Sequence, residues 1–185
     1  RILFGAGRNK YNMLNCYVLD PEDSVESIGK TIADMYKISC AGGGVGFNFS
    51  KIRPKGDDIQ NIQWSAPGSI SVMKMINEIG EHVRAGKNRR TALMSILEVS
   101  HPDFLEFLSV KLDRKELTNF NISVAINNRF ISAVENDEDW HFTFAGRHNK
   151  YFCYNVERTN EKGEVDTVMV VAKDEADAVG RADQN

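Results

Sequence analysis

The stretch SCAGGGVGFNFSKIRPKG, residues 39–56, decides the fold of this chain because it joins a helix end to a strand within a few residues. Four glycines stand in the five positions from Gly42 to Gly46. VGFNFSKI, residues 45–52, then alternates apolar with small or polar residues, as a strand does, and RPKGDD ends it. Glycines that cradle a dinucleotide follow a strand and open a helix, so this helix-to-strand order argues against that fingerprint. The tract either caps a helix and packs closely, or it exposes backbone amides to a ligand.

The residues before this stretch predict one strand and one helix. NCYVLD, residues 15–20, is a short apolar run rich in strand formers. Asp23 or Ser24 stands where a helix cap is expected, because either side chain can accept a hydrogen bond from the first helical amides. Apolar side chains then recur at spacings of three and four and predict one buried helix face; they are Val25, Ile28, Ile32 and Met35. The glycines from Gly42 to Gly44 end this helix.

The residues after this stretch repeat the alternation of helix and strand. Residues 53–67 form a loop that is long for a compact domain and is therefore a candidate for function. The elements predicted beyond it are a helix from Ser69 to Ala85, a strand over 91–99, a short helix opened by Pro102, a strand over 119–126, a helix over 128–137 and a strand over 140–144. Alternating strands and helices predict an α/β fold with a largely parallel sheet.

A change of pattern near residue 147 predicts a second part of the chain. YFCYNVER, the polar turn TNEKGE and VDTVMVVAK are typical of a β-hairpin, and DEADAVGRADQN follows as a helix without an obvious cap. We expect residues 1–146 to belong to the α/β domain and residues 147–185 to be a hairpin and helix inserted in it. A first residue that is not Met and an uncapped last helix lead us to expect a segment of a longer chain.

Composition places the chain in an ordinary globular class. Of its 185 residues, 42% are hydrophobic and 26% are charged, which fits neither a disordered nor a fibrous chain. Its apolar runs are too short for a membrane helix and its start lacks the layout of a signal peptide, so we expect a cytoplasmic protein without a membrane partner. A formal net charge of −3 predicts no general attraction to nucleic acid.

The cysteines and histidines predict neither a disulfide framework nor a metal site. The cysteines are Cys16, Cys40 and Cys153, and the histidines are His82, His101, His141 and His148. The cysteines are widely spaced and form no CxxC pair, and the histidines lie on different predicted elements without ligand spacing. Cys16 lies in a predicted strand, where it is either a small buried side chain or a redox thiol that faces a pocket.

Two groups of polar residues are candidate binding sites. Asp23 and Ser24 follow the first strand and Arg53 follows the second, so in a parallel sheet all three lie at one edge. A carboxylate for a sugar hydroxyl and a guanidinium for a phosphate would make a nucleotide site there, although helix capping alone also explains Asp23 and Ser24. GKNRR, residues 86–90, is either a solvated turn or a second contact to a phosphate or base.

Four motifs in this sequence resemble, in order and spacing, the catalytic subunits of ribonucleotide reductases. They are NCYVLDPEDSVESI (15–28), SCAGGGVGFNFSKIRPKG (39–56), GKNRRTALMSILEVSHPDFLEFL (86–108) and NFNISVAI (119–126). The phrases GGGVGFNFS and HPDFLEF are most similar to the adenosylcobalamin-dependent class, which is often found in bacteria and phages. The resemblance ends before the predicted hairpin.

This resemblance implies a fold and a chemistry. The family fold is a ten-stranded α/β barrel built from two five-stranded parallel halves, and this chain resembles most of the first half. Cys16 would supply one thiol of the pair that reduces the ribose and becomes a disulfide. Asn15 takes the position of a substrate-contacting residue, and Gly43 and Gly44 take positions where the backbone approaches the substrate. The radical-bearing cysteine and the second reducing cysteine belong to the other half, so we expect this chain alone to be inactive.

The resemblance also implies control of specificity by a deoxynucleotide effector. Asp23, with Ser24 beside it, and Arg53 take positions that bind this effector. Arg89 lies in the loop between effector and substrate and is expected to contact a base or phosphate. The helix over residues 69–85 resembles part of a homodimer surface through which the effector site is completed.

The complete enzyme implied by this resemblance needs further components. Its radical source would be adenosylcobalamin or, in the alternative, an iron-dependent or manganese-dependent partner subunit. Its substrate would be a ribonucleotide, its effector a dNTP or ATP, and its reductant a thioredoxin-like or other dithiol, in the cytoplasm of a bacterium or of a phage-infected cell. Two other hypotheses stay open, namely a non-catalytic nucleotide-binding regulatory module of the same fold and an unrelated α/β domain with Cys16 in its core.

Overall fold

The predicted alternation of strands and helices is present in the structure, a computed structural model that describes residues 14–57, 59, 66–85, 89–112, 116–144, 150–159, 165–172 and 174–182. In chain order the elements are β1 (Cys16–Leu19), α1 (Val25–Cys40), β2 (Gly44–Asn48), α2 (Gly68–His82), β3 (Arg84–Ala85), β4 (Arg89–Arg90), β5 (Leu93–Glu98), α3 (Phe104–Ser109), β6 (Phe120–Ala125), α4 (Asn128–Glu135), β7 (Phe142–Thr143), β8 (Lys150–Thr159), β9 (Val165–Ala172) and α5 (Glu175–Ala182).

The main sheet has four strands, β1-β2-β5-β6 in this order, and every pair is parallel. Parallel neighbours need a crossover between them, and α1, α2 and α3 provide the three crossovers in chain order. The α/β prediction is therefore confirmed. Over the described ranges these strands form an open sheet and not a closed barrel.

One face of this sheet carries the hydrophobic core. Phe47, Phe49 and Phe120 project from β2, from the residue after it and from β6, and their ring centroids lie 5.5 to 6.4 Å apart. Met35 of α1 and Met73 of α2 are fully buried against the same cluster. Burying a side chain of this size contributes about 1.5–3 kcal/mol, so the core holds both helices on this face.

The described helices leave the opposite face of the sheet uncovered. Side chains alternate along β5, where Leu93 and Leu97 are buried while Met94 is exposed. Cys16 and Val18 of β1 lie on the same side as Met94, and Val18 is 81% exposed. This uncovered face is the surface on which a ligand or another part of a protein can lie.

The first helix ends where the sequence predicts, but its buried face begins one turn later than predicted. Gly42 has a φ of 85°, which favours glycine, and the Gly43 N–H donates to the Ile38 carbonyl at 2.9 Å, five residues back. Val25, predicted on the buried face, is 84% exposed. It is the first residue of α1, and the packed face begins at Ile28.

The second helix is shorter than the predicted range of 69–85. It ends at His82, because the chain turns at Val83 and Arg84–Ala85 pair antiparallel with Arg89–Arg90. Thr91 Oγ1 fixes this turn by donating to the Val83 carbonyl at 3.0 Å. The 86–90 segment therefore follows β3 and ends in β4, and these two short strands pair with each other.

The strand predicted over 140–144 belongs to a second sheet and not to the parallel one. β7 pairs antiparallel with β8, and β8 pairs antiparallel with β9, which confirms the predicted hairpin. Phe142 and Val171 pack with Phe104 of α3 in a small second cluster. The division of the chain near residue 147 stays a prediction, and most of the predicted turn TNEKGE lies outside the described residues.

Candidate functional site

Cys16 is the first residue of β1 and lies on the uncovered face of the sheet. Its thiol is exposed and not part of a disulfide. The carbonyl of Asn15, the preceding residue, accepts a hydrogen bond from the Gly44 N–H at 2.7 Å. Cys16 and Gly44 are paired across β1 and β2. The structure thus brings together three residues that were predicted to bind substrate.

The sheet surface beside Cys16 carries almost no side chain. Gly44 is its neighbour on β2, and Ala92 lies next to Gly44, since Val45 pairs with Leu93. A Cβ on Gly44 would lie 3.3 Å from the Ala92 carbonyl oxygen and 3.7 Å from the Ala92 Cβ. A thiol beside a glycine and an alanine leaves room for a molecule to lie against the backbone. We call Cys16, Gly44 and Ala92 the thiol edge.

Gly43 has a packing role that the sequence does not predict, and its expected approach to the substrate stays a prediction. A Cβ at this position would lie 2.6 Å from Ile38 Cγ2 and 2.9 Å from Tyr17 Cε2. Side chains of the protein itself already fill this space, so Gly43 is small because α1 and β1 pack closely on it. Of the two neighbouring glycines, Gly44 is the one beside the thiol.

Asp23 and Arg53 lie side by side at the other end of the strands. Arg53 Nε donates to Asp23 Oδ2 at 2.6 Å, and the Arg53 backbone N–H donates to Asp23 Oδ1 at 3.3 Å. The Asp23 side chain is 25% exposed and the Arg53 side chain is 22% exposed. Ser24 follows as the N-cap of α1, where its Oγ accepts the Ser27 N–H at 3.1 Å. These three predicted residues share one edge of the sheet.

Lys51 forms two ion pairs next to Asp23 and Arg53. Its Nζ lies 2.6 Å from Asp20 Oδ2 and 2.6 Å from Glu22 Oε1. Hydrogen bonds to the carboxylates of Asp20 and then Glu22 raise the pKa of Lys51 to about 12. The ammonium is exposed, so these pairs are screened by salt. We call Asp20, Glu22, Asp23, Lys51 and Arg53 the ion-pair edge.

The structure does not bring Arg89 to the ion-pair edge. Arg89 begins β4, three residues before Ala92 of the thiol edge, and residues 86–88 and the Arg89 side chain lie outside the described part. The two edges lie at opposite ends of β1 and β2. At about 3.3 Å per residue, the five steps from Gly44 to Phe49 separate them by about 16 Å. The strand β4 that carries Arg89 therefore ends two residues before Ala92 of the thiol edge.

Asp103 organises the loop after Arg53, a role that the sequence does not predict. Asp103 stands at the N-cap of α3, but its side chain does not cap that helix. Its carboxylate is 5% exposed and binds two distant segments: Oδ1 accepts the Lys55 N–H at 2.9 Å, and Oδ2 accepts the Ser69 N–H and Oγ–H, each at 2.8 Å. An Asp directly before an apolar helical run predicts a helix start and gives no sign of these partners.

The described residues contain no group of three His, Cys, Asp or Glu side chains that could hold a metal ion. His101 is buried and bonded to the backbone, because its Nε2 donates to the Ile52 carbonyl at 2.8 Å while Nδ1 accepts the Asp103 N–H at 3.0 Å. None of the helices in the described ranges combines the length and apolar character needed to cross a membrane.

Comparison with known proteins identifies the kind of chain that carries this arrangement. The family model "Ribonucleotide reductase, barrel domain" matches residues 14–178, a range that includes the β8–β9 hairpin. The chain is 39% identical over 137 residues to a vitamin B12-dependent ribonucleoside-diphosphate reductase of Thermoplasma acidophilum, covering 74% of this chain and 18% of that protein.

Relatives from other sources show the same similarity. A vitamin B12-dependent ribonucleoside-diphosphate reductase of Mycobacterium tuberculosis H37Rv is 37% identical over 134 residues, covering 72% of this chain and 19% of that protein. The large subunit of a ribonucleoside-diphosphate reductase of monkeypox virus is 31% identical over 144 residues, covering 75% of this chain and 19% of that protein. The chain thus spans about a fifth of the length of the curated relatives it matches.

Proposed function

The chain belongs to the family of ribonucleotide reductase barrel domains, and from this we propose that it is part of a large subunit that converts ribonucleotides to 2′-deoxyribonucleotides. The similarity to relatives named vitamin B12-dependent supports a large subunit of the adenosylcobalamin-dependent class. The relatives are diphosphate reductases by name, so ribonucleoside diphosphates are the first substrates to test.

The exposed thiol of Cys16 above a nearly bare strip of sheet is the observation that carries this proposal. Reduction at the 2′ carbon replaces a hydroxyl by hydrogen and releases water, which needs two electrons and two protons. Two thiols supply both when they become a disulfide, and Cys16 is proposed as one of them. Gly44 has no side chain and Ala92 has only a methyl group, so a ribose can lie within reach of the Cys16 sulfur.

The radical step is proposed to use a different cysteine. A thiyl radical would remove the 3′ hydrogen of the ribose and return a hydrogen to the same carbon after the 2′ position is reduced, so that the radical is regenerated. Neither Cys40, at the exposed end of α1, nor Cys16 is assigned this role. A protein of the relatives' length has ample further chain for it.

No residue of the described part of the chain is assigned as a ligand of a cobalt cofactor. The described residues contain no group of three His, Cys, Asp or Glu side chains that could hold a metal ion, but cobalamin brings its own corrin ligands and does not need such a group. Adenosylcobalamin is therefore proposed from the relatives alone, as the supplier of the radical when bound, with a metal-radical partner subunit as the alternative. The residues of this chain bind and reduce the ribose in either case.

The ion-pair edge is proposed as the site of a deoxynucleoside triphosphate effector, or of ATP. Asp23 accepts hydrogen bonds and can bind a sugar hydroxyl, and the guanidinium of Arg53 can bind a phosphate. The N-terminus of the 16-residue α1 lies beside them at Ser24 and adds a partial positive charge. The Asp23–Arg53 pair holds both groups in place before a nucleotide arrives.

Arg89 is proposed to serve both sites in a homodimer. Its strand β4 ends two residues before Ala92 of the thiol edge, so within one chain this strand leads to the proposed substrate site. A contact to an effector at Asp23 and Arg53 of the ion-pair edge would come from a second copy of the chain, with the exposed side of α2 in the shared surface. A cytoplasmic, thioredoxin-like dithiol is proposed to reduce the Cys16 disulfide after each turnover.

The proposal is tested by replacing Cys16 with serine in the full-length enzyme. With dithiothreitol or thioredoxin as reductant, Cys16→Ser should lose multiple turnover of ribonucleoside diphosphates or triphosphates, because one thiol of the pair is missing. Cys40→Ser is the matched control, since this cysteine is also exposed but lies on α1, and it should keep wild-type turnover. Wild-type turnover in Cys16→Ser would contradict the redox role.

Effector binding is tested separately with Asp23→Ala and Arg53→Ala. Each should weaken the response of substrate choice to added deoxynucleoside triphosphates while basal reduction persists, because both residues lie at the far edge from Cys16. An enzyme that binds nucleotides but reduces none, even as the wild type, would instead be the non-catalytic regulatory module.

A further inference from the structure

We propose that Asp103 is a positioning residue for the effector site, because its buried carboxylate fixes the loop that carries Arg53. This inference rests on the effector role proposed for Asp23 and Arg53. Asp103 does not touch the proposed effector itself. It acts by holding the backbone on which Arg53 is presented.

Both ends of the loop between β2 and α2 are bound to this one carboxylate. The Lys55 N–H at the entry of the loop donates to Oδ1 at 2.9 Å. At the exit, the N–H and the Oγ–H of Ser69 both donate to Oδ2 at 2.8 Å. Asp103 lies 34 and 48 residues away from these partners along the chain, so the bonds join three separate segments.

The neck of the loop is closed just above the carboxylate. The Gly56 N–H donates to the Ala66 carbonyl, and the Ala66 N–H donates to the Asp57 carbonyl, each at 2.8 Å. Gly68 has a φ of 81°, and a Cβ there would lie 2.8 Å from the Lys55 nitrogen and 2.9 Å from Asp103 Oδ2. The two ends of the loop therefore approach each other as closely as a glycine allows.

Arg53 lies within the segment that this arrangement fixes. One residue before it, the Ile52 carbonyl accepts the hydrogen bond from His101, and two residues after it, the Lys55 N–H is held by Asp103. The backbone of Arg53 is thus fixed on both sides by the His101–Asp103 segment, and Asp23 aligns its side chain. Binding groups must be held within about 0.5 Å of their productive positions, so loss of the Asp103 carboxylate would misplace Arg53 through the backbone that carries it.

A carboxylate is the group that these partners need. Three donors meet its two oxygens, and an ionised oxygen accepts each of them more strongly than a neutral amide oxygen does. An asparagine has nearly the same shape, but it would turn its NH₂ group towards either the Lys55 or the Ser69 donors. One end of the loop would then lose its bond while the packing around α3 stayed the same.

The test compares effector response with basal turnover in the full-length enzyme. For wild type and Asp103→Asn, the concentration of each of the four deoxynucleoside triphosphates that gives half-maximal stimulation is measured, together with turnover in the absence of effector. Asp103→Asn should raise the half-saturating concentration about tenfold, within the range of ordinary coupling effects. Turnover without effector should stay within about twofold, because the thiol edge is remote.

Phe107→Leu is the matched control for stability. Phe107 is fully buried on the helix that Asp103 precedes, and its side chain lies in the core cluster and cannot bond to the loop amides. This variant should lower the denaturation midpoint and leave the half-saturating concentration unchanged. If it shifts that concentration as much as Asp103→Asn does, the effect reflects general destabilisation and the positioning role is wrong.

The outcomes separate this inference from the proposed function. If wild type responds to effectors, Arg53→Ala does not, and Asp103→Asn keeps the wild-type half-saturating concentration, the inference alone is wrong. If wild type shows no response, the effector site and the inference both fail. Should Asp103→Asn not fold, Ser69→Ala, which removes one of the three bonds, should raise the concentration about threefold, and an unchanged value would overturn the positioning role.

Discussion

Single alanine substitutions at Gly43 and Gly44 should separate stability from activity, although the two residues are adjacent. At Gly43 the new methyl group would lie 2.6 Å from Ile38 Cγ2 and 2.9 Å from Tyr17 Cε2. Overpacking of this kind costs about 1–3 kcal/mol, and the lower entropy of the unfolded chain offsets about 0.4–1 kcal/mol of that. Two contacts shorter than 3 Å put the cost in the upper part of that range, about 2–3 kcal/mol, so Gly43→Ala should be about 1–2.6 kcal/mol less stable than wild type.

At Gly44 the same change should act on the reaction instead. The nearest atom to the new methyl group would be the Ala92 carbonyl oxygen at 3.3 Å, which a small shift relieves. The entropic gain offsets this, so the free energy of unfolding should change by less than about 0.5 kcal/mol. The methyl group would stand beside the Cys16 sulfur on the uncovered face, where the ribose is proposed to lie. We expect kcat/KM to fall about tenfold or more, equivalent to at least about 1.4 kcal/mol.

Urea denaturation followed by tryptophan fluorescence and steady-state reduction of ribonucleoside diphosphates measure the two effects in the full-length enzyme. The explanation of Gly43 is wrong if Gly43→Ala is as stable as wild type. The placement of substrate beside Gly44 is wrong if Gly44→Ala keeps wild-type kcat/KM. Equal losses of stability in both variants would contradict the distinction drawn between the two glycines.

Three further changes test the local structure. Ser24→Ala should lower the free energy of unfolding by about 1 kcal/mol, because α1 loses its capping bond to Ser27; Thr at the same position should retain most of it. Gly68→Ala should cost about 1–3 kcal/mol, because the residue has a φ of 81° and crowds Lys55, and urea titration measures it. Lys51→Met should slightly lower the denaturation midpoint. Because the pKa of Lys51 in the folded state is raised from 10.5 to about 12, the difference in midpoint between wild type and this variant should be constant below pH 10.5 and shrink as the pH rises through 12. The same difference should be smaller in 1 M salt.

The features predicted correctly from the sequence depend on neighbours along the chain. The cap at Ser24 and the helix end at Gly42 follow from hydrogen bonds that span three to five residues. The shared edge of Asp23 and Arg53 follows from the parallel sheet, since the two residues lie four and five residues after the ends of β1 and β2. Local patterns were therefore enough to predict that Asp23, Ser24 and Arg53 lie at one edge of the sheet.

The features that were missed depend on contacts between distant segments. Asp103 looks like an ordinary helix start, and its partners Lys55 and Ser69 can be found only once the sheet has assembled. The role of Gly43 depends on the orientation of Ile38 and Tyr17, which the glycine tract itself does not encode. A strand as short as Phe142–Thr143 has too few residues to specify a partner sheet, and tertiary packing decides it.

The two edges of the sheet are joined by α2, and this connection gives the proposed effector a physical route to the proposed substrate site. At one end, Ser69 in the first turn of α2 is bound to Asp103, beside the loop of Arg53. At the other end, the Val83 carbonyl accepts a bond from Thr91, the residue before Ala92 of the thiol edge.

The helix between these two ends is short and firmly packed. A helix of 15 residues is about 22 Å long, and its buried side chains pack it against the sheet. A displacement of the loop base by a bound effector would move the far end of α2 and the hairpin that carries Arg89, whereas loss of the Ser69 bond alone leaves the helix held by its buried side chains. β1 and β2 have less freedom to respond, because a continuous ladder of hydrogen bonds joins them. Coupling through this route requires two positions of α2, each favoured by a different occupant of the ion-pair edge.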